Sequence, residues 1–253
     1  MAGLGGDLGP QRRAELAENL AEVRARIASA CESAGRPADE VTLIAITKTF
    51  PAADAVMLAG LGVADFGENR DQEAAPKVAQ ARELGMRARW HFVGQLQVNK
   101  SASVVRYADV VHSVDRLRLV RALGSHAVSA GRLVTCLIQV SLDEELAEAA
   151  AAVSADGGRG GARPAEVPGL ADAIAGTEGL VLGGVMGVAP LGEPARPAFG
   201  RLWQIAERVR TVHPAAMTIS AGMSADLDDA VTEGATHVRV GTALLGGRQP
   251  FVR

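Results

Sequence analysis

Polar and apolar positions change period along this chain. Residues 11–34 place Leu16, Leu20, Val23 and Ile27 at helical spacing, which predicts a long amphipathic helix. Beyond it, short apolar runs alternate with helix-like segments. The runs fall at 41–47, 65–67, 90–93, 110–113, 133–140, 180–186, 218–220 and 238–240. The helix-like segments lie near 53–61, 70–84, 98–107, 115–129, 143–153, 195–211 and 224–233. Eight runs in strict alternation predict a parallel sheet covered on both faces. Eight units in 253 residues match a single (β/α)8 TIM-type barrel with an extra N-terminal helix. Thirteen residues follow the last run, too few for a normal eighth helix, so the N-terminal helix is expected to cover that part of the barrel. A doubly wound open sheet is the alternative.

Residues 11–253 are thus expected to form one domain after a disordered N-terminus at 1–10. The "GLGGDLG" near the start follows no strand and is no dinucleotide fingerprint. Residues 154–169, "SADGGRGGARPAEVPG", read as a mobile loop after the fifth strand.

Composition narrows the function. The formal net charge is -3 and the pI about 6.0, so no basic surplus exists for nucleic acid. No run reaches membrane-span length, and "MAGLGGDLGPQRR" lacks an apolar signal core. Cys31 and Cys136 form no CxxC pair, as expected of reduced thiols in a cytoplasm. The histidines show no metal-ligand spacing, and "SAGMS" is not a GxSxG elbow, so neither a metal site nor a serine hydrolase is predicted. Only three lysines, Lys48, Lys77 and Lys100, stand against 23 arginines. Each surviving lysine is a candidate for work that arginine cannot do.

Barrel chemistry sits at the C-terminal ends of the strands. There the sequence places Lys48, "GEN" (67–69), "GQLQ" (94–97), "HSVD" (112–115), "SLDE" (141–144), "GVAP" (187–190), "SAGMS" (220–224) and "RVGT" (239–242). A lysine pointing into the barrel mouth would be desolvated and shifted towards its neutral, carbonyl-attacking form, poised for a Schiff base. A lysine that only snorkels to solvent is the plain alternative. Glycine turns at helix starts, in "SAGMS" and at Gly241–Thr242, offer backbone N–H groups to a phosphate, and Ser224 is a plausible N-cap. Tight turns alone would also explain those glycines. Arg239 alternates with apolar neighbours, so it is expected to face inward and to need an acceptor, either a buried acid or a ring nitrogen. Lysine, phosphate cradle and arginine together describe pyridoxal phosphate.

The motifs "AITKT", "FGEN", "WHFVGQLQVNK", "HSVD", "IQVSL", "GVMGVAP", "SAGMSADLDDA" and "VRVGTALLG" closely resemble the pyridoxal phosphate homeostasis protein family, in order, from about residue 15 to 247. The resemblance implies a single-domain barrel related to alanine racemase. It implies pyridoxal phosphate on Lys48, Asn69 near the cofactor ring, Ser220, Gly241 and Thr242 at the phosphate, and Arg239 at the pyridine nitrogen. His91 is a looser candidate, its plain role being a hydrogen-bonded core histidine. There are departures. Arg70 stands where tyrosine is frequent, "SAGMS" replaces "SMGMS", and "EELAEAAAAVSA" lengthens the loop after strand five. Arg159 stands where a lysine is common, and arginine cannot serve as a second amine.

The expected function is a non-catalytic carrier or buffer of pyridoxal phosphate, cytoplasmic and monomeric, that serves pyridoxal phosphate-dependent apo-enzymes. An alanine-racemase-type enzyme is the alternative. Against it, only 14 residues follow Arg239, leaving no room for the second domain of the racemases. The sole tyrosine, Tyr107, lies before the fourth strand and reads as a packing residue. Arg239 would keep the pyridine nitrogen unprotonated and so weaken the ring as an electron sink, which weighs more against decarboxylation than against racemisation.

Overall fold

The computed structural model describes residues 8–143 and 160–247. Eight parallel strands close into a barrel in sequence order: β1 (Thr42–Ile46), β2 (Asp65–Glu68), β3 (Arg89–Phe92), β4 (Val110–Val114), β5 (Val134–Val140), β6 (Leu180–Gly187), β7 (Thr218–Ser220) and β8 (His237–Val240). β1 pairs with both β2 and β8, so no sheet edge remains. All eight runs read from the sequence are strands, and the open-sheet alternative is excluded.

The ring of helices comprises α1 (Leu8–Ser33), α2 (Ala52–Gly60), α3 (Asp71–Glu83), the short α4 (Ser101–Val104), α5 (Leu117–Ser129), α6 (Val167–Ala175), α7 (Ala195–Val212), α8 (Leu227–Thr232) and the single turn α9 (Thr242–Leu245). α1 begins at Leu8, inside the stretch expected to be disordered. Its Leu16, Leu20, Val23 and Ile27 are buried, each contributing roughly 1.5–3 kcal/mol. Because α9 is one turn long, α1 fills the gap beside it, as expected. The Arg12 guanidinium donates to the Leu245 carbonyl and the Asp54 carboxylate, and the Asn19 amide donates to the Leu244 carbonyl.

One expectation fails within 154–169. From Gly160 the chain is ordered: Ala162 bridges to Val140, Pro164–Glu166 form a 3-10 turn, and α6 follows. Pro168 sits in the first turn of α6, where its missing N–H costs nothing, so a residue read as a breaker is a helix start. Arg159 and the lengthened segment 144–155 lie outside the described residues.

Side chains outside the strands pack beneath the helices in one continuous apolar core. Inside, Val110, Leu137 and Met186 form a separate small cluster under β4–β6. A bulge bends β6, where Gly184 has φ +143° and a Cβ would stand 2.0 Å from the Thr218 carbonyl oxygen. Only glycine lets β6 approach β7 there.

Candidate functional site

The six residues singled out for cofactor binding lie on four neighbouring strands, β7, β8, β1 and β2, at or near their C-terminal ends. Lys48 follows β1 in a turn and is exposed, so the desolvation expected of it is absent. Asn69 follows β2 directly and is exposed, packed against Gly94. A Cβ on Gly94 would stand 2.0 Å from the Asn69 carbonyl oxygen. Gly241 lies beside Ile46, two residues before Lys48, and Thr242 opens α9. The first N–H groups of a helix have no partner inside it, so this turn presents donors at the barrel rim.

Ser220 and Arg239 go elsewhere, into the barrel. Arg239 is 5% exposed and pairs in register with Ile44 of β1. Its Nη1 donates to the Ser220 carbonyl (2.8 Å) and Oγ (2.7 Å), and its Nη2 to the Gly187 carbonyl (2.9 Å). All three acceptors are neutral. Burial lowers this guanidinium from 12.5 to about 10. The structure thus provides a buried cation inside the wall with no carboxylate among these three acceptors.

A hydrogen-bonded chain runs from Ser220 down the barrel interior. His112 Nδ1 lies 3.0 Å from Ser220 Oγ, His112 Nε2 lies 2.8 Å from His91 Nδ1, and His91 Nε2 lies 2.9 Å from Asp65 Oδ1. The Asp65 carboxylate accepts, so His91 donates through Nε2 and accepts through Nδ1. His112 then donates through Nε2 and accepts the Ser220 hydroxyl proton, which leaves Ser220 Oγ as acceptor for Arg239. With one proton on each ring, every contact in the chain holds one proton. Burial pushes His112 well below 6.5, and the Arg239 guanidinium adds to this. Burial would raise the Asp65 carboxyl, but the hydrogen bond from His91, with the nearby Arg89 guanidinium, brings it below its ordinary value. His91 is thus a core histidine, the plainer of its two readings. The Ser220 hydroxyl, expected at a phosphate, is occupied inside the barrel. Ser224, expected as an N-cap, does not cap α8: Asp226 holds that position and accepts from the Met223 N–H at 2.6 Å.

Below this chain, a cavity of about 450 Å³ opens at the N-terminal end of the barrel, lined among others by Arg89, His91, His112, Thr135, Thr218 and His237. Burial holds His237 at about 4.

Behind the Lys48 turn lies a group that motif reading missed. Lys77 of α3 is buried, its Nζ donating to Glu68 Oε1 (2.5 Å) and to the Thr47 carbonyl (2.6 Å). Thr47 Oγ1 donates to the same Glu68 oxygen at 2.6 Å. Burial raises the Glu68 carboxyl more than Lys77 and Thr47 lower it. The scarcity of lysine was the signal that could have found it.

Among the described residues, no group of three His, Cys, Asp or Glu side chains could hold a metal ion, and no helix is long and apolar enough to cross a membrane. Cys31 and Cys136 are free and buried. Tyr107 is buried before β4, near Asp71 and Glu68.

The family model described as alanine racemase, N-terminal domain, matches residues 18–249. The barrel superposes on alanine racemase from Corynebacterium glutamicum with a TM-score of 0.63 at 14% identity, covering 92% of this chain and 60% of the racemase, a likeness of fold alone. Nearer in sequence is the pyridoxal phosphate homeostasis protein of Mycobacterium tuberculosis, 44% identical over 258 residues and 95% of each chain. A structure of PipY of Synechococcus elongatus, with PLP bound, superposes with a TM-score of 0.77 at 33% identity, covering 91% of this chain and all of that one (100%). The chain belongs to the pyridoxal phosphate homeostasis protein family, on the alanine racemase N-terminal barrel.

Proposed function

We propose that this protein is a carrier or buffer of pyridoxal phosphate, holding its aldehyde reversibly on the Lys48 amine. One observation carries the reading: an accessible amine follows β1, and the strand paired with it, β8, carries a buried cation whose three acceptors are neutral oxygens. The residues fit the group. Arg239 offers a donor to an unprotonated ring nitrogen, Asn69 flanks the ring, and the Gly241–Thr242 turn offers N–H groups to the phosphate. Ser220 serves this site through Arg239, since its hydroxyl proton goes to His112. When bound, pyridoxal phosphate supplies an electrophilic aldehyde and an electron-withdrawing ring. The protein's part is to hold and release it, since an exposed lysine leaves the attachment point open to water and to an apo-enzyme receiving the cofactor. Tyr107 is buried, and burial beside Asp71 and Glu68 raises its hydroxyl, which does not suit it to be the second acid or base of a racemase.

The test is visible absorbance during titration with pyridoxal phosphate, followed by borohydride reduction and peptide mapping. The wild type is expected to gain a band that reduction fixes on Lys48, and Lys48→Ala is expected to lack it. A band that persists in Lys48→Ala sinks the attachment, and Lys48-dependent turnover across an amino-acid panel sinks the carrier reading.

A further inference from the structure

We propose that Lys77 is the positioning residue for Lys48, and that it acts through the Thr47 carbonyl. The inference rests on Lys48 being the attachment point. Every polar atom of Thr47 is engaged. Its N–H donates to the Gly67 carbonyl (3.0 Å) and its hydroxyl to Glu68. Its carbonyl accepts twice, from Lys77 Nζ at 2.6 Å and from the Phe50 N–H at 3.1 Å. The second of these bonds closes the turn in which Lys48 sits.

That turn is strained. Thr49 has φ +70°, the one non-glycine residue among those described with a positive φ. A β-branched residue adopts this region only under strain and persists there only where its surroundings over-determine it. Lys77 and Glu68 supply that determination from the barrel's outer side. A compact ammonium reaches both the carbonyl and the carboxylate from the buried face of α3, which it shares with the small or apolar Ala74, Val78 and Ala81. A guanidinium is longer and planar. This gives a physical reason for a lysine here in a chain with 23 arginines. α3 therefore aims the rim amine without adding a group to the mouth.

The lock is tested with Lys77→Met and with the double variant Lys77→Met/Glu68→Leu. The single variant strands a buried carboxylate and is expected to lose stability broadly. The double variant removes both charges, an exchange that is often neutral or stabilising, so it keeps the fold testable. Hydrogen exchange of the protein without cofactor reads the turn directly. In the double variant the Phe50 amide is expected to exchange about tenfold faster or more, as for loss of one buried bond, while the amides of β5 and β6 keep their rates. Uptake of pyridoxal phosphate on Lys48 is expected to weaken by a similar factor. Unchanged Phe50 exchange and unchanged uptake in a folded double variant would reduce Lys77 to a structural ion pair. If the wild type takes up no cofactor, the carrier reading falls, and the exchange arm still decides whether Lys77 holds the turn.

Discussion

The barrel wall from β4 to β6 and the wall from β7 round to β2 are built on different terms. β5 and β6 run side by side over seven paired positions, from Val134 opposite Leu180 to Val140 opposite Gly187. Their inner faces carry Leu137 and Met186, packed with Val110. β7 is three residues long and meets β8 at one pair, Ser220 opposite His237. Across that seam the ladder is supplemented by a side chain, because Arg239 reaches from β8 to Ser220 on β7 and Gly187 on β6. The β5–β6 pair is held by apolar burial, while the β7–β8 seam leans on hydrogen bonds between buried polar groups, which His112 of β4 also joins. A ligand can exchange with bonds of the second kind, which is why the candidate site lies there.

Leu137→Ala should have the largest effect on stability and none on the site. Removing a fully buried leucine costs roughly 2–5 kcal/mol, read as a lowered denaturation midpoint. Uptake of pyridoxal phosphate at low temperature should match the wild type; a parallel loss would mean that the two walls are not separable.

Next comes acid. An unfolded imidazole takes its proton near 6.5, whereas burial holds His237 at about 4 and His112 well below its ordinary value. The unfolded chain therefore binds more protons between these limits, and stability should fall as pH drops from 6.5 to 4. His237→Gln should flatten part of that slope. A thermal midpoint that ignores pH across this window would refute a neutral His112 and His237 inside the barrel.

Ser220→Ala should be the mildest for folding, about 1–3 kcal/mol, through the unsatisfied His112 and Arg239 groups it leaves. It should nevertheless weaken cofactor uptake, which Leu137→Ala leaves alone. Equal uptake by both variants would remove Arg239 from the site.

The strands were legible because a parallel sheet covered on both faces reads as short apolar runs, and each run marks one strand. α6 was not, since Pro168 and Gly169 look alike in a loop and in a first helical turn. Lys48, Asn69, Gly241 and Thr242 stand at strand ends, where alternation alone places them. The exposure of Lys48 was not readable, because it depends on how far the turn carries the side chain past β1. The Asp65–His91–His112–Ser220 chain was invisible in the spacing: its members come from β2, β3, β4 and β7, and only barrel closure brings them together. Lys77 showed in composition alone, because its partners Thr47 and Glu68 lie on other elements.

The contacts of α1 set an order on biosynthesis. Arg12 and Asn19 bond to carbonyls 233 and 225 residues further on, and β1 pairs with β8. While the chain is emerging, β1 can be paired on one side only, and the apolar stripe of α1 waits for most of its cover until the last strand appears. Such long-range closure is slow, and it leaves an open strand edge throughout translation. The nascent chain is therefore most exposed to aggregation just before β8 emerges, and a helper that shields β1 and α1 until then would protect the whole barrel.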